Sequence, residues 1–144
     1  MGTASSLRLI QHPTSLNDLS AWIEALATRH GLSARTVFSL DLVLTEAVTN
    51  IVDYADNPAG EGWIDLSCQV WEDRIEIELS DDGPAFDPTS RTPVQLPTSL
   101  ADAKPGGLGI HLIRQYTTHM QYQRKNEHNV LLLSLPREHH AVFA

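Results

Sequence analysis

The sequence predicts an α+β fold, a two-layer α/β sandwich in which a mixed or antiparallel sheet carries helices on one face. Three observations lead to it. Period-two stretches and helically spaced stretches follow one another as β-α-α-β-β-loop-α-β-β. The four later strands come as two pairs, each joined by a short polar turn. With 144 residues, 42% of them apolar, the chain suits a single domain over 1–144.

The elements follow in order. Leu7 and Leu9 alternate with polar residues ahead of Pro13, which predicts a short strand. Thr14 or Ser15 then caps a helix whose apolar stripe is Leu16, Leu19, Trp22, Ile23, Leu26 and Ala27 and which ends near Gly31. Ser33 opens a second helix, in which Val37, Leu40, Leu44, Ala47, Val48, Ile51 and Ala55 keep helical spacing for about six turns. The run 57–62 (NPAGEG) is turn chemistry. Beyond it, Trp63 to Trp71 and Arg74 to Ser80 alternate around Glu72-Asp73 as a hairpin. Residues 83–107 hold five of the eight prolines and three of the eight glycines, which predicts a long mobile loop. Leu108 to Tyr116 reads as a third helix, and Met120 to Arg124 and Asn129 to Leu135 as two final strands.

Bulk properties exclude several classes. The single cysteine, Cys68, has no partner for a disulfide and no ligands at zinc-knuckle spacing, so it reads as a buried structural thiol. Neither a signal-peptide core near the N-terminus nor an apolar run of roughly 20 residues is present, which gives a cytoplasmic protein that does not cross a membrane. A formal charge of −8 repels phosphate backbones, so no direct nucleic-acid contact is expected.

Three places carry chemistry. On the second helix each residue advances about 100°, so Glu46, Asn50 and Asp53 share about 60° of arc beside the apolar stripe. Asn50 can offer a carbonyl oxygen to a hard cation, and Glu46 can hold or deprotonate a nucleophile. By spacing alone the same edge is also a solvated helix face. The second place is 80–88, SDDGPAFDP, where Asp81 ends a strand, Gly83 permits close approach of a flat ring, and Phe86 and Asp87 follow. An ordinary Asp-Gly turn has the same letters. The third is 104–113, KPGGLGIHLI, whose glycines expose backbone N–H groups at the positive end of a helix, where phosphate oxygens bind. A flexible linker is the plain alternative.

In this order and spacing the three places resemble the ATPase superfamily of gyrase, MutL and the histidine kinases, and most closely its anti-sigma-factor serine kinase branch. Leu42 to Ala55 (LVLTEAVTNIVDYA) is similar to the family's N box, SDDGPAFDP to its first glycine box and GGLGIHLI to its second. The resemblance covers nearly the whole chain and implies a Bergerat-type ATP-binding fold with a lid loop at about 84–107. It implies ATP and Mg2+ as cofactors, with Asn50 on the metal and Glu46 as catalytic base. Asp81 would meet the adenine amine and Gly83 would line its pocket. Gly107 and Gly109 would wrap the phosphates. Asp53, Phe86, Lys104, Gly106 and Leu108 complete the nucleotide-binding set that the resemblance implies.

Two departures stand out. Tyr54 occupies a position where many members have His, and Pro105 directly precedes the glycine run where many have a basic residue, with Lys104 one place earlier. The contact to the γ-phosphate is therefore left open.

The implied activity is that of an anti-sigma factor and serine protein kinase, with a sigma factor and a STAS-type anti-sigma antagonist as partners and a homodimer as assembly. A nucleotide-binding regulatory module without phosphotransfer is the first alternative, and an interaction protein that has lost its nucleotide is weaker, because clustered polar groups are costly to keep without use. A histidine-kinase-type catalytic domain is the other alternative. Against it, the chain starts almost directly at the ATPase fold, with no dimerisation helix bearing a phosphoacceptor His.

Overall fold

The computed structural model describes residues 3–55, 62–90 and 107–137. Strand β1 (Thr3–Ile10) leads into helix α1 (Ser15–His30) and then helix α2 (Ala34–Ala55). Strands β2 (Trp63–Val70) and β3 (Arg74–Asp81) follow, then a 3-10 turn at Pro88–Ser90, helix α3 (Gly107–Tyr116) and strands β4 (His119–Lys125) and β5 (His128–Pro136). The five strands form one sheet in the order β1-β2-β3-β5-β4, and every neighbouring pair is antiparallel. Of the two sheet types expected, the antiparallel one holds.

Local chemistry explains the boundaries. The N–H of Gly31 bonds Ala27 O from a left-handed conformation (φ 60°, ψ 43°), which a residue without Cβ adopts at little cost. Ser33 caps α2: its Oγ accepts from Thr36 N at 3.1 Å while its hydroxyl donates to Thr36 Oγ1 at 2.9 Å. The expected cap on α1 does not form. Thr14 is already helical in its dihedrals and makes no side-chain cap bond, and Ser15 Oγ donates backward to Ile10 O at 2.8 Å, tying the helix start to the end of β1. The β2–β3 hairpin turns at Glu72-Asp73 as expected, closed by Trp71 N donating to Arg74 O at 2.9 Å. Asn126 and Glu127, both at positive φ (52° and 64°), make the two-residue β4–β5 turn, the geometry that matches strand twist.

The core lies between the sheet and one layer of helices. Ile64, Leu66, Cys68 and Val70 of β2 and Ile75, Ile77 and Leu79 of β3 face Leu19, Ile23, Leu40, Leu44 and Val48, all buried. Each fully buried Leu or Ile contributes about 1.5–3 kcal/mol of hydrophobic stabilisation. Cys68 is 0% exposed, and burial pushes its thiol up to about 12, which makes it the inert structural group expected from the sequence. The opposite sheet face is polar; Ser67, Gln69, Glu78, His119 and Gln121 line a broad, open hollow on it. No helix of the described residues is long and apolar enough to cross a membrane.

One end of the sheet is locked by polar bonds. Gln11 is 3% exposed, and its Nε2 donates to Trp63 O at 3.0 Å and Asp82 Oδ1 at 2.8 Å; Trp63 N donates to the same oxygen at 3.0 Å. A Cβ on Gly62, at φ +103°, would stand 2.8 Å from the Gln11 side chain, so glycine is required there for both backbone and space. The lock joins the ends of β1, β2 and β3 beside Asp81.

Candidate nucleotide site

Strand parity brings a carboxylate into the core. Ile75, Ile77 and Leu79 point from β3 toward the helices, and the next residue of that row is Asp81, 4% exposed. On the neighbouring strand Leu131, Leu133 and Leu135 face the same way, and their row begins with Asn129, 6% exposed and paired in register with Asp81. Two apolar rows thus end side by side in two polar groups.

Asp81 Oδ1 accepts from Asn129 Nδ2 at 3.0 Å and from Gly83 N at 2.9 Å. Oδ2 has no hydrogen-bond partner among the described residues. Burial pushes the carboxyl above the ordinary aspartate range, with the bonds from Asn129 and Gly83 opposing the shift. A Cβ at Gly83 would lie 3.0 Å from Asp81 Oδ1, tighter than ordinary contact, so a side chain there would press on the carboxylate.

From the helix side, α2 presents Asn50, 5% exposed, whose carboxamide has no hydrogen bond to any described residue. Its carboxamide is therefore available to a group from outside the described residues. Asn50, Asp81 and Phe86 line a common cavity with Ala47, Ile51, Leu79, Pro88, Ile113, Tyr122, Asn129 and Leu131. Its volume is about 30 Å³, and it is only partly enclosed. Glu46 and Asp53 flank Asn50 on the helix outside that lining, Glu46 half-buried and Asp53 exposed.

The chain after β3 is tied to its neighbours by several contacts. Residues 84–90 fall within the expected loop, yet Asp87 Oδ1 accepts from Thr89 N at 2.8 Å and Thr89 Oγ1 at 2.6 Å, and a 3-10 turn follows. Arg114 of α3 donates to Thr89 O at 2.8 Å. Phe86 stacks on Tyr54 at the end of α2 with centroids 3.9 Å apart and 23° between planes. These contacts tie this part of the expected loop to α2 and α3; the rest of the expected lid, 91–106, with Lys104, Pro105 and Gly106, lies outside the described residues. Gly107, Leu108 and Gly109 form the first turn of α3, which therefore begins one residue before the expected start.

Asn129 is the buried polar residue of this region that the sequence reading missed. Its signal was present: period-two alternation back from Leu135 places it on the inward row. The same holds for Tyr122, whose hydroxyl donates to Asn129 Oδ1 at 2.6 Å. Among the described residues no group of three or more His, Cys, Asp or Glu side chains could by itself hold a metal ion.

Comparison with known proteins agrees with this fold. Residues 10–135 match the model of the histidine kinase-like ATPase domain. A solved Mycobacterial sensor histidine kinase, MprB, superposes with a TM-score of 0.51 over 93% of this chain and 99% of that one at 16% identity, which speaks for the fold. The chain belongs to the histidine kinase-like ATPase domain family. Within that family it is similar to serine kinases. Serine/threonine-protein kinase BtrW of Bordetella bronchiseptica is 36% identical over 129 residues, 90% of this chain and 91% of that protein. Serine-protein kinase RsbW of Listeria innocua is 32% identical over 103 residues, which is 69% of this chain but 64% of that protein, a little under two thirds of its length.

Proposed function

We propose that this chain is an ATP-dependent serine protein kinase and anti-sigma factor, a single ATPase domain over 1–144 that holds a sigma factor inactive and phosphorylates a serine of a STAS-type antagonist. The observation that carries the reading is the pairing of two buried polar groups at one cavity. Asp81 has a carboxylate oxygen to spare, and Asn50 has an entire carboxamide. The similarity to BtrW over nine tenths of both chains supports the kinase activity. Family resemblance supports the sigma factor and antagonist as partners, a homodimer and a cytoplasmic location.

In this reading Asp81 Oδ2 accepts the exocyclic amine of adenine, with Gly83 and Phe86 beside the ring. The first turn of α3 offers backbone N–H groups at its positive end, so Gly107, Leu108 and Gly109, with Lys104 and Gly106, form the phosphate cradle. Mg2+ fits a site of one protein oxygen: this ion is held by one or two side chains plus substrate phosphates, and Asn50 has the free carbonyl. Bound there, it would neutralise charge on the phosphates. Asp53, one turn further along α2 on the same edge, completes the nucleotide-binding set. Glu46 takes the proton from the serine hydroxyl as its oxygen bonds the γ-phosphorus and the bond to the β-phosphate oxygen breaks, leaving ADP. Positioning and charge neutralisation supply most of the acceleration.

A carboxylate that only accepts hydrogen bonds discriminates between bases. Calorimetry is expected to show ATP and ADP binding about 10-fold or more tightly than GTP, whose ring presents a carbonyl where adenine presents an amine. Equal affinities would remove Asp81 from the site.

A further inference from the structure

Two acidic residues follow one another at the end of β3, and they face different ways. Asp81 lines the cavity, whereas Asp82 is exposed and reaches sideways to the neighbouring chains. Asp82 Oδ1 accepts from Trp63 N at 3.0 Å and from Gln11 Nε2 at 2.8 Å. Gln11 is 3% exposed, and its Nε2 also donates to Trp63 O at 3.0 Å, so both of its amide hydrogens are in use. The ladder between β2 and β3 ends at the pair Ile64 and Asp81. The bonds to Asp82 lie just beyond it and fasten the turn where strand pairing has stopped.

The amide of Gln11 lies between two glycines. A Cβ on Gly62 would stand 2.8 Å from its Cδ, and one on Gly83 would stand 3.9 Å from its Nε2 and Oε1. Gly83 in turn donates its N–H to Asp81 Oδ1 at 2.9 Å. The peptide between Asp82 and Gly83 is planar, so the direction of that N–H follows the backbone of Asp82. The side chain of Asp82 is tied across to β2 and to the residue after β1, which holds that backbone in place.

We propose that Gln11 and Asp82 are positioning residues for base recognition: their bonds hold the 82–83 peptide so that Gly83 N stays on Asp81 Oδ1 and leaves Oδ2 to face the base. The proposal rests on the assignment of Asp81 to the adenine amine. Without this clasp the peptide is free to turn, Oδ1 loses a donor, and the carboxylate discriminates less well between an amine and a carbonyl.

Asp82 also carries a charge, and its two effects can be separated. Burial raises the Asp81 carboxyl, and the charge of Asp82 adds to that rise in smaller measure. Asp82→Ala removes both the charge and the accepting oxygen; Asp82→Asn removes the charge alone and keeps an oxygen for Trp63 N and Gln11 Nε2. Hydrogen exchange at the Gly83 amide of the nucleotide-free protein reports the turn, and the amides of Leu66 and Ile77, in interior strands, report the sheet as a whole. Asp82→Ala is expected to speed Gly83 exchange by about 10-fold beyond any change at Leu66 and Ile77. In calorimetry the same variant should lose about 3-fold or more of the ATP-over-GTP preference, the scale of one net hydrogen bond. Asp82→Asn should match the wild type in both readouts, and Gln11→Met should follow Asp82→Ala.

A wild type that binds ATP and GTP equally overturns the reading of Asp81, and this proposal with it. A discriminating wild type whose Asp82→Ala variant discriminates equally overturns the proposal alone. So does a loss of preference as large in Asp82→Asn as in Asp82→Ala, which would assign the effect to charge, and so does acceleration at Gly83 no greater than at Leu66 and Ile77. Asp82 is exposed and outside the core, so the two variants at this position decide the matter even if Gln11→Met does not fold.

Discussion

Glu46→Gln is expected to bind Mg-ATP nearly as the wild type does and to transfer phosphate about 10²-fold or more slowly, the usual scale for removing a general base. Glutamine keeps the size and polarity of the side chain on α2 and loses only the ability to take a proton. Asn50→Ala should differ in kind. Its carboxamide is 5% exposed and without a hydrogen bond to any described residue, so its removal costs the fold little and costs the ligand much. The Mg2+-dependent part of ATP binding should disappear, and phosphotransfer with it. Calorimetry with and without Mg2+, beside a phosphotransfer assay, separates the two variants. Identical phenotypes would return the polar edge of α2 to a solvated helix face.

Leu44→Ala, on the same helix, acts through the fold. Leu44 is 0% exposed in the core between α2 and the sheet, and truncating such a residue costs about 2–5 kcal/mol through lost transfer energy and the cavity left behind. For a domain of this size the midpoint of thermal unfolding should fall on the order of 10 °C. The ATP-over-GTP preference of the protein that remains folded should not change, because Leu44 is not among the residues lining the cavity. A melting curve within a degree or two of the wild type would contradict the packing described here.

The fold was legible because its signals are local. Alternation in β2 and β3 (Ile64, Leu66, Cys68; Ile75, Ile77, Leu79) and helical spacing in α2 each declare which side is buried. The all-antiparallel order was not, since β5 inserts between β3 and β4 through contacts distant in sequence. The site was legible where a residue type is unusual for its place, as with Asp81 after an apolar row. Asn129 escaped because alternation gives the side of the strand it lies on and not its neighbour, and only its register opposite Asp81 shows what it holds. The contacts made by residues 84–90 escaped for the converse reason. Proline and glycine signal an absence of regular structure, but the bonds from Asn129 and Arg114 that tie this chain down come from 25–45 residues away in sequence.

The central claim is that this domain moves the γ-phosphate of ATP to a serine, and labelled ATP tests it most directly. Incubated with Mg2+ and STAS-type antagonist proteins from its own genome, the wild type should place label on a serine of one of them, and Glu46→Gln should not within the same time. Binding of Mg-ATP by both proteins with no label on any antagonist would contradict the account and leave a nucleotide-binding module without phosphotransfer.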